Sequence, residues 1–577
     1  MKKDETCCFL KSLFAGEIEQ NIILPYPELD AEEHENLEMI VQAWREFAKD
    51  AVDAESFDRN EEIPAEVIDG MKEMGLFGLP IPEEFDGAGL TKTAYCRIFE
   101  EISRVDASLA VTVGAHASIG TQGLLIFGTD KQKAKYLPKL ATGEMIACFA
   151  LTEPGAGSDA AGITTHAELN ESKDAFILNG QKIWISNGAI CHLITVFAKT
   201  KVKQDGVEKD KITAFLVEAD WEGVSRGKKE EKMGIRGSNT TTLNFDNVRV
   251  PVENMLGPLG KGFRIAMDTL NTGRLGLAAG CVGGIKEMVR LSTQYAKSRE
   301  QFGKPIADFE IIKDKISTMT SDAYAGESMV YLTTALVDKG NIDVSLESAI
   351  CKVFASDAVW HAVDETVQIA GGLGYSKDYP YERHLRDARI NMIFEGTNEI
   401  LRLFIALAGM QGPGEYLKQI GKALRNPIKG FGLLTGFVAG KVKDRVTKPE
   451  LTGVCPELKL QAARFDKHAA QLAKATEKLL MRYGKNIIHK EFLLQRIANI
   501  AIHLYAMAAV ISRVSTNARN GKSIEQELPL AKLVCTRSSA IIRTEHWYIN
   551  RNHDDIRCEI TDEVYAAEKY PCEKFGM

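Results

Sequence analysis

Apolar residues in the first quarter of the chain recur every three or four positions. Leu37, Ile40, Val41, Trp44 and Phe47 line one face of a helix, and a second helical run covers 94–128. Between them LPIPEEFDGAGLT, at 79–91, is broken by Pro and Gly and predicts a loop. Near Ala147 the pattern changes to short β-rich runs: IACFALTEP, DAFILNGQKIWISNG, LITVFAK, ITAFLVEA and TTLNFDNVRVP. Five such strands with turn residues between them predict a small β-domain closed by Pro251. From Gly262 to about Gly409 the long helical pattern returns, with Gly-rich breaks at 371–374. After Pro449 helical patterns continue, including Leu472–Met481 and Phe492–Val514. No internal repeat marks a solenoid. The chain reads as a helical protein carrying an inserted β-module.

Composition adds bounds. The 577 residues suggest about four domains, and 45% hydrophobic with 26% charged residues excludes a disordered or low-complexity chain. Seventy-one basic residues against 79 acidic ones, net −8, argue against a nucleic-acid partner. Eleven cysteines at irregular spacing, with no C-x-x-C, read as free thiols of a reducing compartment. The apolar stretch around 506–511, flanked by His503 and Arg513, falls short of the roughly 18 residues of a spanning helix. Asp4, Glu5, Glu17 and Glu19 speak against a transit peptide, and Lys11 against a signal peptide. The expectation is a cytoplasmic protein of bacterial type.

The average charge hides one exception. Segment 415–448 holds eight basic residues against Glu415 and Asp444, net +6, interleaved with Phe431, Leu433, Leu434, Phe437, Val438 and five glycines. Such a stretch suits the surface of an anionic membrane; a solvated linker is the plainer reading.

Several motifs have both a chemical and an ordinary reading. TEPGAGSD at 152–159 follows a strand, and its backbone N–H groups can converge on an anion; otherwise it is a β-turn. KIWISNG at 182–188 puts Trp184 and Ser186 on one strand face by period two, where they suit a flat conjugated ring or simply the core. SREQFG at 298–303 offers Arg299 and Gln301 to a pyrophosphate, or is an exposed helix end. QIAGGLG at 368–374 is a helix stop. FEGTNEI at 394–400 sets Glu395 between an aromatic residue and a glycine, a setting for a base whose own N–H binds an oxyanion. No metal-site motif is present.

Taken together and in order, TEPGAGSD, KIWISNG, MGIRGSNT, NTGRLGLAAG, SREQFGKPI, QIAGGLGY, RDARI and FEGTNEI resemble the acyl-CoA dehydrogenase family over about 40–410. The remainder resembles the very-long-chain branch, with its added C-terminal helical domain. The resemblance implies an α-helical N-domain, a β-barrel-like middle domain and a four-helix-bundle C-domain. The boundaries expected are 1–36 for an N-terminal extension, 37–146, 147–255 and 256–412 for these domains, 413–449 for the basic linker and 450–577 for the extra helices.

It also implies FAD between the helical and β-domains, a homodimer, and long-chain acyl-CoA as substrate. Electrons would pass to an electron-transfer flavoprotein in the first step of fatty-acid β-oxidation. The cofactor residues implied are Phe149, Leu151, Thr152, Gly157, Ser158, Trp184, Ile185, Ser186, Thr397 and Asn398. Arg299, Gln301, Phe302, Gln368, Ile369, Gly371 and Gly372 match positions that reach the FAD of a neighbouring subunit. Glu395 matches the catalytic base, which takes the α-proton as hydride leaves the β-carbon. The alternative base position of the family is Gly273 here, so Glu395 has no rival. Ser158, Asn271, Arg274 and Gly396 match the substrate site, and Gly120 with Gly123 would deepen its acyl end. Two alternatives share the fold: an acyl-CoA oxidase, and an assembly scaffold. The second would show a damaged catalytic set, whereas Glu395, Trp184, Ser158 and Arg299 are all present.

Overall fold

The structure is a computed structural model that describes residues 8–204, 206–340, 342–425 and 450–572, without the side chains of 419–425. The greater part of the basic segment 415–448 therefore lies outside the described residues.

Helix α1 (Phe9–Ala15) is followed by α2 (Ala31–Ala51), capped by the Asp30 side chain on Glu33 N–H. The expected face of α2 is the buried one: Leu37, Val41 and Trp44 are buried, with Ile40 and Phe47 packed at its edge. Helices α3 (Lys92–Val105), α4 (Ala107–Gly114), a π-helical turn (Ala115–Gly120) and α5 (Asp130–Ala141) complete the N-domain. The middle domain is an eight-stranded sheet: β1 (Ala147–Ala150), β2 (His166–Leu169), β3 (Ala175–Ser186), β4 (Leu193–Gln204), β5 (Val207–Glu218), β6 (Val224–Lys229), β7 (Thr240–Pro251) and β8 (Met255–Leu256). Its order is β6-β7-β3-β2-β4-β5-β8, with β1 parallel to β4.

The bundle follows as α6 (Gly262–Ser298), α7 (Glu310–Lys339), α8 (Ser345–Ala370), the short α9 (Tyr381–Ala388) and α10 (Asn398–Arg425). Beyond residue 449 come α11 (Lys459–Tyr483), α12 (Glu491–Arg519), α13 (Glu527–Asn550) and α14 (Asp554–Ala567). Two helical stretches, Ala107–Phe127 and Glu491–Arg519, are long and apolar enough by composition to cross a membrane, which the search for unbroken apolar runs missed. Their most apolar windows are 67% and 83% buried inside the fold, as core helices are.

Polar contacts lock the domains together. His116 is buried and neutral: its Nδ1 accepts from Ala147 N–H at 2.9 Å and its Nε2 donates to the Leu140 carbonyl at 3.1 Å. Asp387, in RDARI, accepts Ile235 N–H from the loop before β7. That loop approaches so closely that a Cβ at Gly234 would lie 2.3 Å from the Arg386 backbone. The N-terminal extension stitches the extra helices to the bundle. Leu10 N–H donates to buried Glu347 on α8, and Tyr26 N–H donates to Thr516 on α12.

Candidate active site

Glu395 sits in the turn between α9 and α10 with φ +58°, the left-handed region that costs a non-glycine residue roughly 1 kcal/mol. Three contacts hold it there. Arg274 of α6 donates from Nε to the Glu395 carbonyl at 3.1 Å, and its other arm is fixed by Asn271 Oδ1 at 2.8 Å. Lys352 of α8, fully buried, donates to the Gly396 carbonyl and to Asn398 Oδ1, each at 2.8 Å. Gly396 itself has φ +91°, which glycine alone adopts easily.

The Glu395 carboxyl points into the bundle. Its Oε2 is closed off from solvent and has no hydrogen-bond partner among the described residues. A Cβ built at Gly273 would lie 3.2 Å from Oε2, 2.8 Å from Ile119 and 3.3 Å from Ser118 Oγ. The glycine thus makes the space the carboxylate occupies. Burial raises the Glu395 pKa to about 7, against the pull of Arg274, Lys352 and Lys92. An unpartnered carboxylate near 7 is suited to taking a proton from bound substrate.

The β-domain carries most of the cofactor residues expected for the chain's own FAD. Trp184 is 59% exposed although it lies in a strand, with φ +59°. The β3–β7 register shifts between Lys182 and Ile185, so period two does not govern this stretch, contrary to expectation. The bulge turns the indole out of the core. Beside it, Ile185 is buried and Ser186 half-buried. Phe149 packs on Phe197 at 4.9 Å between ring centroids, and Leu151 is buried. Thr152 O accepts Ile183 N–H at 3.0 Å, tying the TEPGAGSD turn to β3. Gly157 and Ser158 are exposed, and a Cβ at Gly155 or Gly157 would meet nothing within 4 Å.

A buried ion pair, which the sequence reading missed, anchors that turn. Glu153 accepts from Lys182 Nζ at 2.7 Å, from Thr164 and from Thr165 N–H at 3.0 Å; Lys182 also donates to the Leu151 carbonyl. Burial opposes ionisation of Glu153, but these donors outweigh it and hold its pKa at about 2. Lys352 was missed as well. The available signal was the same for both: a lysine at an apolar-phase position, in KIWIS and in AICKVF.

Three further placements matter. Asn398, expected at the cofactor, is buried, and its amide is taken up by Lys352, Ser356 Oγ and Asp357 Oδ1, bracing α10 against α8. Thr397, half-buried, caps Ile400 N–H. At Gly120 an added Cβ would lie 2.7–3.0 Å from the Ala115 carbonyl and Ala147, so the missing side chain leaves room for β1, not the open space expected. At Gly123 the nearest atom is the end of the Leu256 side chain at 3.3 Å.

Arg299, Gln301 and Phe302 stand exposed beyond the end of α6, Phe302 at 94%. Along this continuous helix Arg299 is about 37 Å from Arg274, at 1.5 Å per residue. Gln368 is exposed and Ile369 buried in the last turn of α8, and Gly371 and Gly372 beyond its end face open space. Neither group reaches Glu395 of its own chain.

A helical–β–helical fold with a buried carboxyl oxygen in the bundle and an exposed indole in the β-domain has clear counterparts. Family models match in succession: acyl-CoA dehydrogenase N-terminal domain at 34–144, middle domain at 148–248 and C-terminal domain at 260–410. The ACAD9/ACADV C-terminal domain matches 456–570. The chain belongs to the acyl-CoA dehydrogenase family. It is 43% identical over 549 residues to the very long-chain specific acyl-CoA dehydrogenase, mitochondrial, of Macaca fascicularis, spanning 94% of this chain and 84% of that one. Identity to the Homo sapiens counterpart is 42% over the same shares. The crystal structure of acyl-CoA dehydrogenase complexed with FAD from Bacillus anthracis matches with TM-score 0.80 at 33% identity, covering 97% of this chain and 96% of that one.

Proposed function

We propose that this chain oxidises long-chain acyl-CoA thioesters to trans-2-enoyl-CoA with FAD. The observation that carries this is Glu395: a carboxyl near pKa 7 whose Oε2 is closed from water, has no hydrogen-bond partner among the described residues and lies against the side-chain gap at Gly273. The residues present fit FAD: glycine positions 155 and 157 are open, the indole of Trp184 is exposed and Ser186 is half-buried, on segments tied together by the Ile183 N–H to Thr152 carbonyl bond. Bound FAD supplies the acceptor for the hydride leaving the β-carbon.

The chain supplies the rest. Glu395 takes the α-proton, and the thioester oxygen, which gains charge as that proton leaves, is met by the Glu395 backbone N–H. Arg274 and Lys352 fix the carbonyls on either side of that turn, so the N–H and the carboxylate keep one relative geometry. Trp184, exposed in this structure, would pack against bound FAD and shield the reacting carbons from water.

The ~37 Å between Arg299 and Arg274 supports a homodimer in which each chain completes the cofactor site of the other. The match of the C-terminal helices to the ACAD9/ACADV domain supports long acyl chains, and the charge of 415–448 supports peripheral contact with an anionic membrane. Anaerobic titration of Glu395→Gln with palmitoyl-CoA tests the core claim: FAD stays bound and the flavin stays oxidised, and normal bleaching overturns it. Turnover with an electron-transfer flavoprotein, without peroxide, separates the dehydrogenase from an oxidase.

A further inference from the structure

The turn that carries Glu395 is connected to the C-terminal helices by an unbroken chain of hydrogen bonds. It begins at Lys352, which donates to the Gly396 carbonyl and to Asn398 Oδ1. The Asn398 amide donates to Asp357 Oδ1 at 2.7 Å. Asp357 pairs through its other oxygen with Arg402, one turn further along α10. Arg402 Nε then crosses to α12, donating to Asn499 Oδ1 at 2.9 Å, and Asn499 donates onward to Glu545 Oε1 of α13 at 2.7 Å. Every link is made by a charged or amide group with a fixed direction. A shift of α12 or α13 is therefore passed to the Asn398 end of the chain and not absorbed by sliding apolar contacts.

Arg402 has a second tie to the same turn, from its Nη1 to the Asn398 carbonyl at 3.4 Å. Arg274, Lys352 and Glu395 lie within the C-terminal domain matched at 260–410, whereas the two last members of the chain, Asn499 and Glu545, belong to the added helices matched at 456–570.

We propose that the C-terminal helical domain positions the catalytic carboxylate, with Arg402 and Asn499 as positioning residues that hold the Asn398 end of the Glu395 turn. The proposal rests on Glu395 being the base. Losing the Arg402 anchor lets Asn398 swing away from Lys352, which takes the ammonium group off the Gly396 carbonyl and away from the carboxylate. The carboxylate then loses a stabilising cation, so it binds its proton more tightly, and it spends less time aligned with the α-proton.

The test uses full-length, FAD-loaded protein carrying Asn499→Leu, with Asn499→Asp as the conservative partner that keeps an oxygen for Arg402. Stopped-flow reduction by palmitoyl-CoA should fall 5- to 20-fold for Asn499→Leu, with KM changed less than twofold. The acidic limb of the rate–pH profile should move upward. Amide hydrogen exchange across 394–402, measured without substrate, should accelerate in the same variant. Asn499→Asp should recover the rate to within twofold. Glu545→Ala, at the solvent-facing end of the chain, should show the same signature at 2- to 3-fold and serves if Asn499→Leu does not fold. The proposal is overturned if the leucine variant, or Glu545→Ala in its place, keeps the wild-type rate, pH limb and exchange. It is also overturned if rate falls only together with FAD content while exchange at 394–402 is unchanged. Failure of the base assignment looks different: there Glu395→Gln itself would bleach normally.

Discussion

Lys182 in the β-domain and Lys352 in the bundle are both fully buried, and burial lowers both ammonium groups to a pKa of about 8. Their surroundings differ. Lys182 meets the carboxylate of Glu153 at 2.7 Å, so the pair is electrically closed and acts as a clamp on the TEPGAGSD turn. Among the described residues Lys352 donates to a carbonyl and an amide oxygen and to no carboxylate, and its charge remains available to its surroundings. Glu395 is among the groups that feel it. One buried lysine serves shape and the other serves both shape and the charge of the base. The wall that holds a cofactor needs rigidity; the wall that moves a proton needs a tuned field.

The largest effect should come from the base itself. Glu395→Gln should slow flavin reduction by about 10³–10⁴-fold, and adding Lys352→Met to it should cost little more, because the charge then has no carboxylate to act on. A large further loss in the double variant, read by stopped-flow absorbance, would give Lys352 a role independent of Glu395.

Breaking the closed pair comes next. Glu153→Gln leaves Lys182 buried without its counter-charge and should cost about 3 kcal/mol of unfolding free energy, together with weaker FAD retention. Glu153→Gln with Lys182→Met should recover most of the stability; calorimetry and flavin content decide it.

Lys352→Met should act the other way round, lowering the reduction rate about 10- to 100-fold with flavin content near wild type. Its diagnostic is the pH profile. In the wild type the rate should rise with pH through about 7, as Glu395 loses its proton, and the variant should carry that limb to higher pH.

The smallest effect is on stability. Because the folded-state pKa of Glu395 is raised from 4.5 to about 7, the folded protein holds that proton more tightly than the unfolded chain does. Its contribution is present below 4.5 and is lost as pH rises towards 7. Glu395→Gln should therefore gain stability relative to wild type across that window, on the order of 1 kcal/mol. Equal unfolding midpoints at pH 5 and pH 8 would show that the carboxyl is better solvated than its unpartnered oxygen indicates.

What was legible depended on how local the cause is. The face of α2, the switch from period three-to-four to period two near Ala147, and the order of the motifs all follow from short-range spacing. Trp184 was named by its motif, but its orientation did not follow period two, because a bulge overrides strand alternation and bulges are set by the partner strand β7. Asn398 was named only through the resemblance of its motif; the donors and acceptors that hold its side chain lie on α8, more than 40 residues away. The gap at Gly120 read as a deeper pocket until β1 was found lying in it.

By itself, then, the sequence determined the helical–β–helical class and the family and singled out Glu395 as the proposed base, since these depend on periodicity and on eight motifs in one order. Tertiary structure alone decided the state of that base. Its raised pKa, its missing hydrogen-bond partner and its tie through Arg402 to the added helices arise from burial and from groups distant in sequence, and burial is a property of the folded chain.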